Sequence, residues 1–392
     1  MACFIAVLRR RGEAEAIRPI RALEEVSTMV TTNTVSAFDS NKAEVFGDEF
    51  VKALNNGALC LMVSIGHRTG LFDVMSELRQ PATSQEIATR AGLNERYVRE
   101  WLGAMTTAGV VEVDPATNRF ILPVEHAAMV TRAAGADNLA VFAQYIGLLG
   151  GVEDNIVECF RRGGGVPYEQ YPRFHEVMAE DSNQSVLSNL ETHIVPLVPG
   201  LADQLAAGIQ VLDVGCGRGR IMNRLAELYP ASQFVGVDLS REAIEFARRE
   251  SQEKQLRNIT FEIRDLSNFD DKAEPDAFDF VTTFDAVHDQ AKPLNVLKGI
   301  CRTLRPDGTY LMQDIKGSSH VHNNLDHPIG TFLYTISCMH CMTVSLAQGG
   351  EGLGAMWGEE KAREYLQRAG FSSVTKNELV HDIQNNWYIV RK

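Results

Sequence analysis

A chain of 392 residues is about two to three times the usual length of a domain, and a hydrophobic share of 45% with 23% charged residues excludes disorder, collagen-like repetition and coiled coil as descriptions of the whole. The 38 basic and 51 acidic residues leave a formal charge of −13, which repels nucleic-acid backbone and anionic membrane unless a local basic face overrides it. Seven scattered cysteines, an odd number in a chain too large to need disulfide staples, point to a reducing, cytoplasmic setting.

Residues 1–40 read as a tail of unknown purpose. Their apolar patch and arginines are interrupted by Glu13, Glu15, Glu24 and Glu25, which argues against a transit peptide, and Met29 offers an alternative start. From Val51 to Leu71, Leu54, Ala58, Leu61, Met62 and Ile65 recur at helical spacing. A short capped helix is predicted from Ser84 to Gly92, and Asn94 caps a second one carrying Tyr97, Val98, Trp101, Leu102 and Met105 as far as Gly109. Two strands, Val110–Val113 and Arg119–Leu122, then flank a turn over 114–118. Helix, turn, helix and wing make residues 41–132 a winged-helix domain. Between Val51 and Arg132 eight basic residues meet eight acidic ones, and the second helix mixes Glu95 and Glu100 with Arg96 and Arg99. A reader of the DNA groove needs an uncompensated basic face. The expectation is therefore a dimerisation or packing domain that does not bind nucleic acid.

Residues 133–207 have a mostly helical pattern, broken by Arg161–Pro167 and by Pro196 and Pro199, and link two domains. The apolar run Asn138–Val152 is too short to span a bilayer and carries Gln144, so it reads as a buried helix and no membrane span is expected. Tyr168, Tyr171, Phe174, His175 and Met178 cluster after the glycine-rich break, placed either to close over a ligand or to form an interdomain core. From Ile209 strands alternate with helices: 209–214, 233–237, 258–263, 278–284 and 309–315 as strands, 220–229, 241–253 and 292–304 as helices, then a helix over 359–369 and strands at 373–376 and 387–390. That alternation demands an α/β, Rossmann-like parallel sheet covered on both faces, filling residues 208–392.

Between the first strand and first helix lies Val211-Leu-Asp-Val-Gly215-Cys-Gly217-Arg-Gly219, where glycines at alternate positions let the backbone approach a ligand closely. Asp213 precedes the loop, and Asp238 ends the second strand 25 residues later, placed to accept hydrogen bonds from ribose hydroxyls. The sixth-position glycine of G-x-G-x-x-G and the Lys-Ser/Thr of a P-loop are both missing, which argues against pyrophosphate recognition.

These motifs resemble the class I S-adenosylmethionine-dependent methyltransferases over residues 209–392. Val235-Gly-Val-Asp238-Leu239-Ser is similar to that family's second motif, Arg264-Asp265-Leu266 to the adenine-binding turn, Phe278–His288 to the fourth motif, and Ile300–Gly308 to the helix and turn before the fifth strand. The resemblance implies a seven-stranded sheet with its last strand antiparallel, S-adenosylmethionine as cofactor, and a cofactor site drawn from Asp213, Gly215, Cys216, Gly217, Asp238, Leu239, Asp265, Leu266 and Phe284. With the winged helix in front, the chain resembles bacterial two-domain methyltransferases and small-molecule O-methyltransferases. That likeness implies a homodimer, a small-molecule methyl acceptor attacked through oxygen or sulfur, and His288 of the pair His288-Asp289 as general base. Gln290 stands where an aromatic residue is usual. Imidazole, with an ordinary pKa near 6.5, suits proton removal at neutral pH. Two alternatives remain: an S-adenosylmethionine-binding regulator acting on DNA, and a methyltransferase acting on protein or nucleic acid, although the Asn/Asp-Pro-Pro-aromatic signature of nucleobase amino-methylation is missing.

The insert 316–358 holds His320, His322 and His327 before Cys338-Met339-His340-Cys341. One C-x-x-C without a second does not make a zinc site, so no metal is expected. Phe332, Leu333, Tyr334, Met339 and Met342 read instead as one buried helix lining the acceptor pocket, and Gln348–Gly358 as a mobile cover with Trp357 as its aromatic face. Candidate acceptor contacts are Tyr168, Phe174, His175, Met339 and Trp357.

Overall fold

The computed structural model describes residues 38–392; the tail assigned to residues 1–40, with Met29, lies almost wholly outside the described residues. Val51–Lys392 pack as one compact unit. The first helix, Ser40–Thr69, begins well before the predicted Val51, because the Asp39 carboxylate accepts hydrogen bonds from the backbone of Asn41 and Lys42 at 3.0 and 3.1 Å and caps it.

The winged helix forms as its caps dictate. Gly70, at φ 73°, turns the chain into the helix Leu71–Leu78. Thr83 and Glu86 make a reciprocal capping box on Ser84–Ala91, Gly92 closes that helix at φ 67°, and the Asn94 side chain accepts from the Arg96 amide to start Glu95–Thr107. The antiparallel strands β1 (Glu112–Asp114) and β2 (Arg119–Ile121) form the wing, with Ala82 bridging Phe120 as a third edge. Phe72, Ile87, Val98, Trp101, Leu102 and Met105 fill the core, and the Trp101 indole donates to the Met62 carbonyl at 2.9 Å. Burial on this scale makes a Trp101→Ala change cost about 3–5 kcal/mol.

Helices at Ala143–Gly150, Glu153–Arg162, Phe174–Ser185 and Leu201–Ala207 lead into the sheet. Its strands are β3 (Gln210–Val214), β4 (Gln233–Asp238), β5 (Ile259–Ile263), β6 (Phe278–Phe284), β7 (Leu304–Ile315), β8 (Ser373–Asn377) and β9 (Asn385–Arg391), in spatial order β5-β4-β3-β6-β7-β9-β8. β9 runs antiparallel between β7 and β8, while β3 to β7 are mutually parallel. The order reverses at β3, and the crevice beside such a switch point is where open α/β sheets bind ligands.

Apolar cores lie on both faces of the sheet. Ile221, Leu225, Ile244 and Ala247, from the helices Arg220–Leu228 and Arg241–Glu253, pack on one face. Val296, Ile300, Leu366 and Ala369, from Pro293–Thr303 and Gly358–Ala369, pack on the other. β7 starts at Leu304, ahead of the predicted Thr309, because Leu304 pairs with Phe278 across an irregularity in the ladder. The insert forms one continuous helix from Gly330 to Ala347 that widens by one residue per turn over Ser337–Cys341, a distortion common where a helix serves a site. No single described helix is long and apolar enough to cross a membrane; the pair Ser40–Thr69 and Leu71–Leu78 reaches the length only together and bends by 70° between them.

Candidate active site

A cleft of about 810 Å³ opens at the carboxyl ends of β3, β4 and β6, roofed by Phe174–Ser185. Its floor is the glycine loop. Gly215, Gly217 and Gly219 take φ values of 78°, 52° and 66°, and a Cβ on Gly215 would lie 2.5 Å from the Cβ of Ala286. Both conditions demand glycine. The Gly215 and Cys216 amides donate to the Val237 carbonyl at 2.8 and 3.0 Å, which ties the loop to β4. The Asp238 carboxylate accepts from the Gly217 and Ser240 amides, both at 2.8 Å, which fixes its orientation at the cleft wall and leaves lone pairs for a ligand. Asp213, buried under the loop, accepts from Thr282 Oγ1 at 2.8 Å. Burial, with the nearby charge of Asp238 and against the Thr282 bond, pushes its carboxyl up to about 7.

Beyond the loop, the segment after β6 carries the reactive groups. Asp285 sits at φ 49°, an uncommon conformation for a residue other than glycine, and its amide bonds to the Gln313 carbonyl on β7. His288, only 3% exposed, places Nδ1 2.7 Å from Asp314 Oδ1 at the end of β7. The same oxygen accepts from the Trp357 indole at 2.9 Å and the Ile315 amide at 2.8 Å. With its proton on Nδ1 directed at Asp314, the ring keeps Nε2 for a second partner. Cys341 stands near the imidazole. Burial works to lower the His288 pKa, but the charge of Asp314, with help from Cys341, outweighs it and holds the ring well above its ordinary value.

An aromatic cover meets this segment. The Tyr168 hydroxyl bonds to Asp289, and the Tyr168 ring stacks on His175 with centroids 5.8 Å apart. Burial lifts Asp289 to about 6, against the pull of His288 and Tyr168. Phe174 lies flat on His340 at 3.5 Å, and the Tyr171 hydroxyl donates to the Met339 carbonyl at 2.5 Å. Burial drives His340 well below its ordinary pKa, so it is a neutral ring, and neither nitrogen has a protein partner.

The cleft brings together Asp213, Gly215, Cys216, Gly217, Asp238, Leu239, Leu266, Phe284, Tyr168, Phe174 and His175. His288 lies just behind the wall formed by Asp285, Ala286 and Asp289. Three expected residues are placed elsewhere. Asp265 is exposed, with its carboxylate taken by the Ser267 amide. Met339 lines a second cavity, outside the cleft, between the insert helix and the helices 143–150 and 153–162. Trp357 is not the aromatic face of a cover: it is 4% exposed, packed in the sheet core and hydrogen-bonded to Asp314, because an indole this large is stabilised by burial with a partner for its N–H. His320, His322, His327 and Cys338 of the insert do not converge; among the described residues, possible metal-ligand atoms gather only at Asp285, His288 and Asp314. Sequence reasoning missed Asp314 and Asp285, and it read Cys341 only as part of the insert helix lining the acceptor pocket. A polar Gln313-Asp314 pair ending an otherwise apolar strand was the available signal.

The fold and the loop are those of a winged helix-turn-helix domain joined to a methyltransferase domain. Residues 57–132 match the Rv2258c-like winged HTH domain and residues 205–370 the methyltransferase domain. Among curated proteins, the ubiquinone biosynthesis O-methyltransferase of Neisseria meningitidis serogroup A is 30% identical over 131 residues, 32% of this chain and 52% of that protein. The chain thus spans about half the length of the curated relatives it matches. Among solved structures, the mitomycin 7-O-methyltransferase MmcR superposes with a TM-score of 0.64 at 16% identity, over 90% of this chain and all of that one. Human N-acetylserotonin methyltransferase, solved in complex with S-adenosylmethionine, gives 0.60 at 17% identity over 92% of this chain and 99% of its own. The site residues fit such a cofactor: Gly215, Gly217 and Gly219 keep the backbone bare along the cleft floor, with open space where a Cβ on Gly217 would stand, and Asp238 presents a fixed carboxylate beside it.

Proposed function

We propose that this protein transfers a methyl group from S-adenosylmethionine to a hydroxyl of a small-molecule acceptor. The observation that carries the reading is the buried His288–Asp314 pair set immediately behind a cleft whose other end is the glycine loop and Asp238. The cofactor, when bound, supplies an electrophilic methyl on a sulfonium. Everything else falls to the chain. The glycine loop, Asp238 and Leu239 orient the nucleoside; Tyr168, Phe174 and His175 cover the cleft and exclude water. His288 Nε2 takes the acceptor proton, and Asp314 holds the ring in the tautomer with its proton on Nδ1 while stabilising the imidazolium that forms. A hydroxyl acceptor is favoured over a thiol because a thiol ionises without help, whereas this site invests a base in proton removal.

The domain division is read as a winged-helix domain over 41–132, a helical linker and cover over 133–207, and a catalytic domain over 208–392. The helix 40–69 keeps Phe46, Phe50, Leu54, Leu61 and Ile65 exposed at spacings of one and two turns, an apolar stripe that supports a homodimer. Arg96 and Arg99 pair with Glu100 and Glu95 on the would-be recognition helix, and Arg119 of the wing pairs with Glu86. Those pairings support a role other than DNA binding. The free state of Cys60, Cys159, Cys216, Cys301, Cys338 and Cys341 supports a cytoplasmic location.

Incubation with labelled S-adenosylmethionine and pools of phenols, carboxylates, thiols and amines tests the reading. A labelled hydroxyl product is expected, and His288→Ala lowers its kcat by about 100-fold or more with cofactor affinity unchanged. Turnover that survives His288→Ala untouched refutes the base assignment.

A further inference from the structure

The acceptor end of the cleft gathers more buried carboxyl groups than methyl transfer requires. Asp285, on the cleft wall, has a buried Oδ1 without a hydrogen-bond partner. Its strongest charged neighbours are Asp314, His288, Asp382 and Asp181. His288 is matched by Asp314, and Asp382 has His381 beside it and accepts from the Gln384 and Asn385 amides and the Trp387 indole; Asp285 and Asp181 are left without a cationic partner, and burial among like charges holds the Asp285 carboxyl well above its ordinary range. The arginines that do line the cleft each face a glutamate of their own: Arg173 to Glu176 at 2.7 Å, Arg218 to Glu242 at 2.5 Å, Arg220 to Glu250 at 3.9 Å, Arg241 to Glu245 at 4.0 Å.

Gln313 adds an independent sign. It is 1% exposed and lies in register between Phe284 on β6 and Trp387 on β9, yet neither its amide nitrogen nor its oxygen has a partner; Asp314 Oδ2, on the opposite face of the strand towards Trp357, has none either. Natural proteins satisfy most buried polar groups with protein, water or a bound ligand.

Resting on the methyl-transfer reading above, we propose that the acceptor is a hydroxyl compound carrying a protonated amine, which the site recognises through Asp285 with Asp181 and Gln313 behind it. The ammonium supplies the N–H donors and positive charge that these groups lack, and its hydroxyl end meets His288. The single positive charge of a sulfonium does not account for the set, since Asp213, Asp238 and Asp289 already stand nearer the glycine loop. A metal ion suits the site less well. The ligand atoms of Asp285, His288 and Asp314 lie within 4.8 Å of one another, but His288 Nδ1 and Asp314 Oδ1 are bonded to each other and Oδ1 accepts two further donors. Holding an ion there would require breaking that bond or turning over His288 Nε2, the atom that takes the acceptor proton, and would leave a ligand set short of a closed zinc or magnesium site.

The test is calorimetric binding to the full chain saturated with S-adenosylhomocysteine. The probes are tyramine, para-propylphenol and para-hydroxyphenylpropionate, which share a phenol and differ in the charge of the side arm. Tyramine is expected to bind at least ~10-fold more tightly than the neutral phenol, and the anion most weakly. Asp285→Asn removes that preference, and Asp181→Asn, which keeps its bond to Tyr145, reduces it; unchanged affinity for S-adenosylhomocysteine reports that both variants are folded. Equal or tighter binding of the neutral or anionic phenol overturns the proposal, as does no binding of tyramine at millimolar concentration, or tyramine binding that disappears when the protein is treated with a chelator. Methylation of neutral phenols with no taste for tyramine sinks this inference alone. Tight, Asp285-dependent binding of tyramine with no methylated product from any pool sinks the methyl-transfer reading instead.

Discussion

The two ends of the cleft are built in different ways. At the cofactor end the ligand-shaping groups are backbone amides and one carboxylate, all within one βαβ unit. The Gly215, Cys216 and Gly217 amides and both oxygens of Asp238 are hydrogen-bonded before any ligand arrives. At the acceptor end the groups are side chains brought from β6, β7, the insert helix and the linker, and several are left open: Asp285 Oδ1, Asp314 Oδ2, both ends of the Gln313 amide and both nitrogens of His340. A finished, local end suits a ligand shared by a whole class of proteins. An unfinished end assembled from distant elements suits a ligand particular to this chain, since each element varies independently.

If the acceptor end depends on long-range placement, removing one distant partner should damage chemistry while the cofactor end stays intact. Asp314→Asn is expected to reduce kcat by about 100-fold or more, because the amide no longer enforces the Nδ1-protonated tautomer. It should also move the pH profile. His288 must be deprotonated to act, and its folded pKa lies well above 6.5, so the rate of the native protein rises with pH through a midpoint above that value. The variant loses the charge that raises the pKa, and its midpoint moves to lower pH. Steady-state kinetics across pH, with cofactor affinity measured alongside, checks both parts; weakened cofactor binding would dissolve the distinction between the two ends.

The mirror experiment strikes the cofactor end. Gly215→Val places a β-branched side chain at φ 78° and against Ala286, with strain and overlap of about 1–3 kcal/mol each. Cofactor affinity should fall by roughly 30-fold or more. Folding of the sheet, judged by circular dichroism, should persist.

The same contrast explains what the sequence could disclose. The glycine loop, Asp238 and the strand and helix alternation are local patterns, and a chain that spells a βαβ unit has few ways to fold it. The winged helix was equally readable, since Asn94, Gly92 and the wing turn each act within a few residues. Asp314 was not readable as a partner of His288, because the pairing depends on the Phe284 to Gln313 register between strands. Trp357 was misplaced for a related reason. Glycines around it suggested a loose cover, whereas Gly358 at φ 77° lets the chain pass so close to Ser318 and Ser319 that the indole is driven into the core.

A smaller effect is expected at the joint between the ends, where the Tyr168 hydroxyl bonds to Asp289. Tyr168→Phe keeps the ring stacked on His175 and removes one hydrogen bond to a carboxylate, about 1.5–3 kcal/mol before relaxation. A rise of about 10-fold in KM for the acceptor, with kcat little changed, marks the bond as part of the cover. A fall in kcat with KM unchanged would instead place Tyr168 in the chemistry.

The finest distinction concerns Asp213, which is buried at the cofactor end but carries a strained charge. Its carboxyl is pushed from the ordinary carboxylate range up to about 7, chiefly by burial. The folded state therefore binds a proton that the unfolded chain has released anywhere between an ordinary pKa of about 3.9 and about 7. This contribution to stability is fully present below the unfolded pKa and is lost as pH rises through about 7. Asp213→Asn cannot ionise and still accepts the Thr282 hydroxyl, so the variant's advantage over the native chain should be absent below about pH 4, grow as pH rises towards 7, and be larger at pH 8 than at pH 5. The gain, of order 1–3 kcal/mol, corresponds to a few degrees in the melting temperature of the cofactor-free protein. Melting curves at the two pH values measure it. If the variant were less stable at pH 8, the carboxylate would have a partner that compensates its burial, and the cofactor end would be held by charge as well as by backbone.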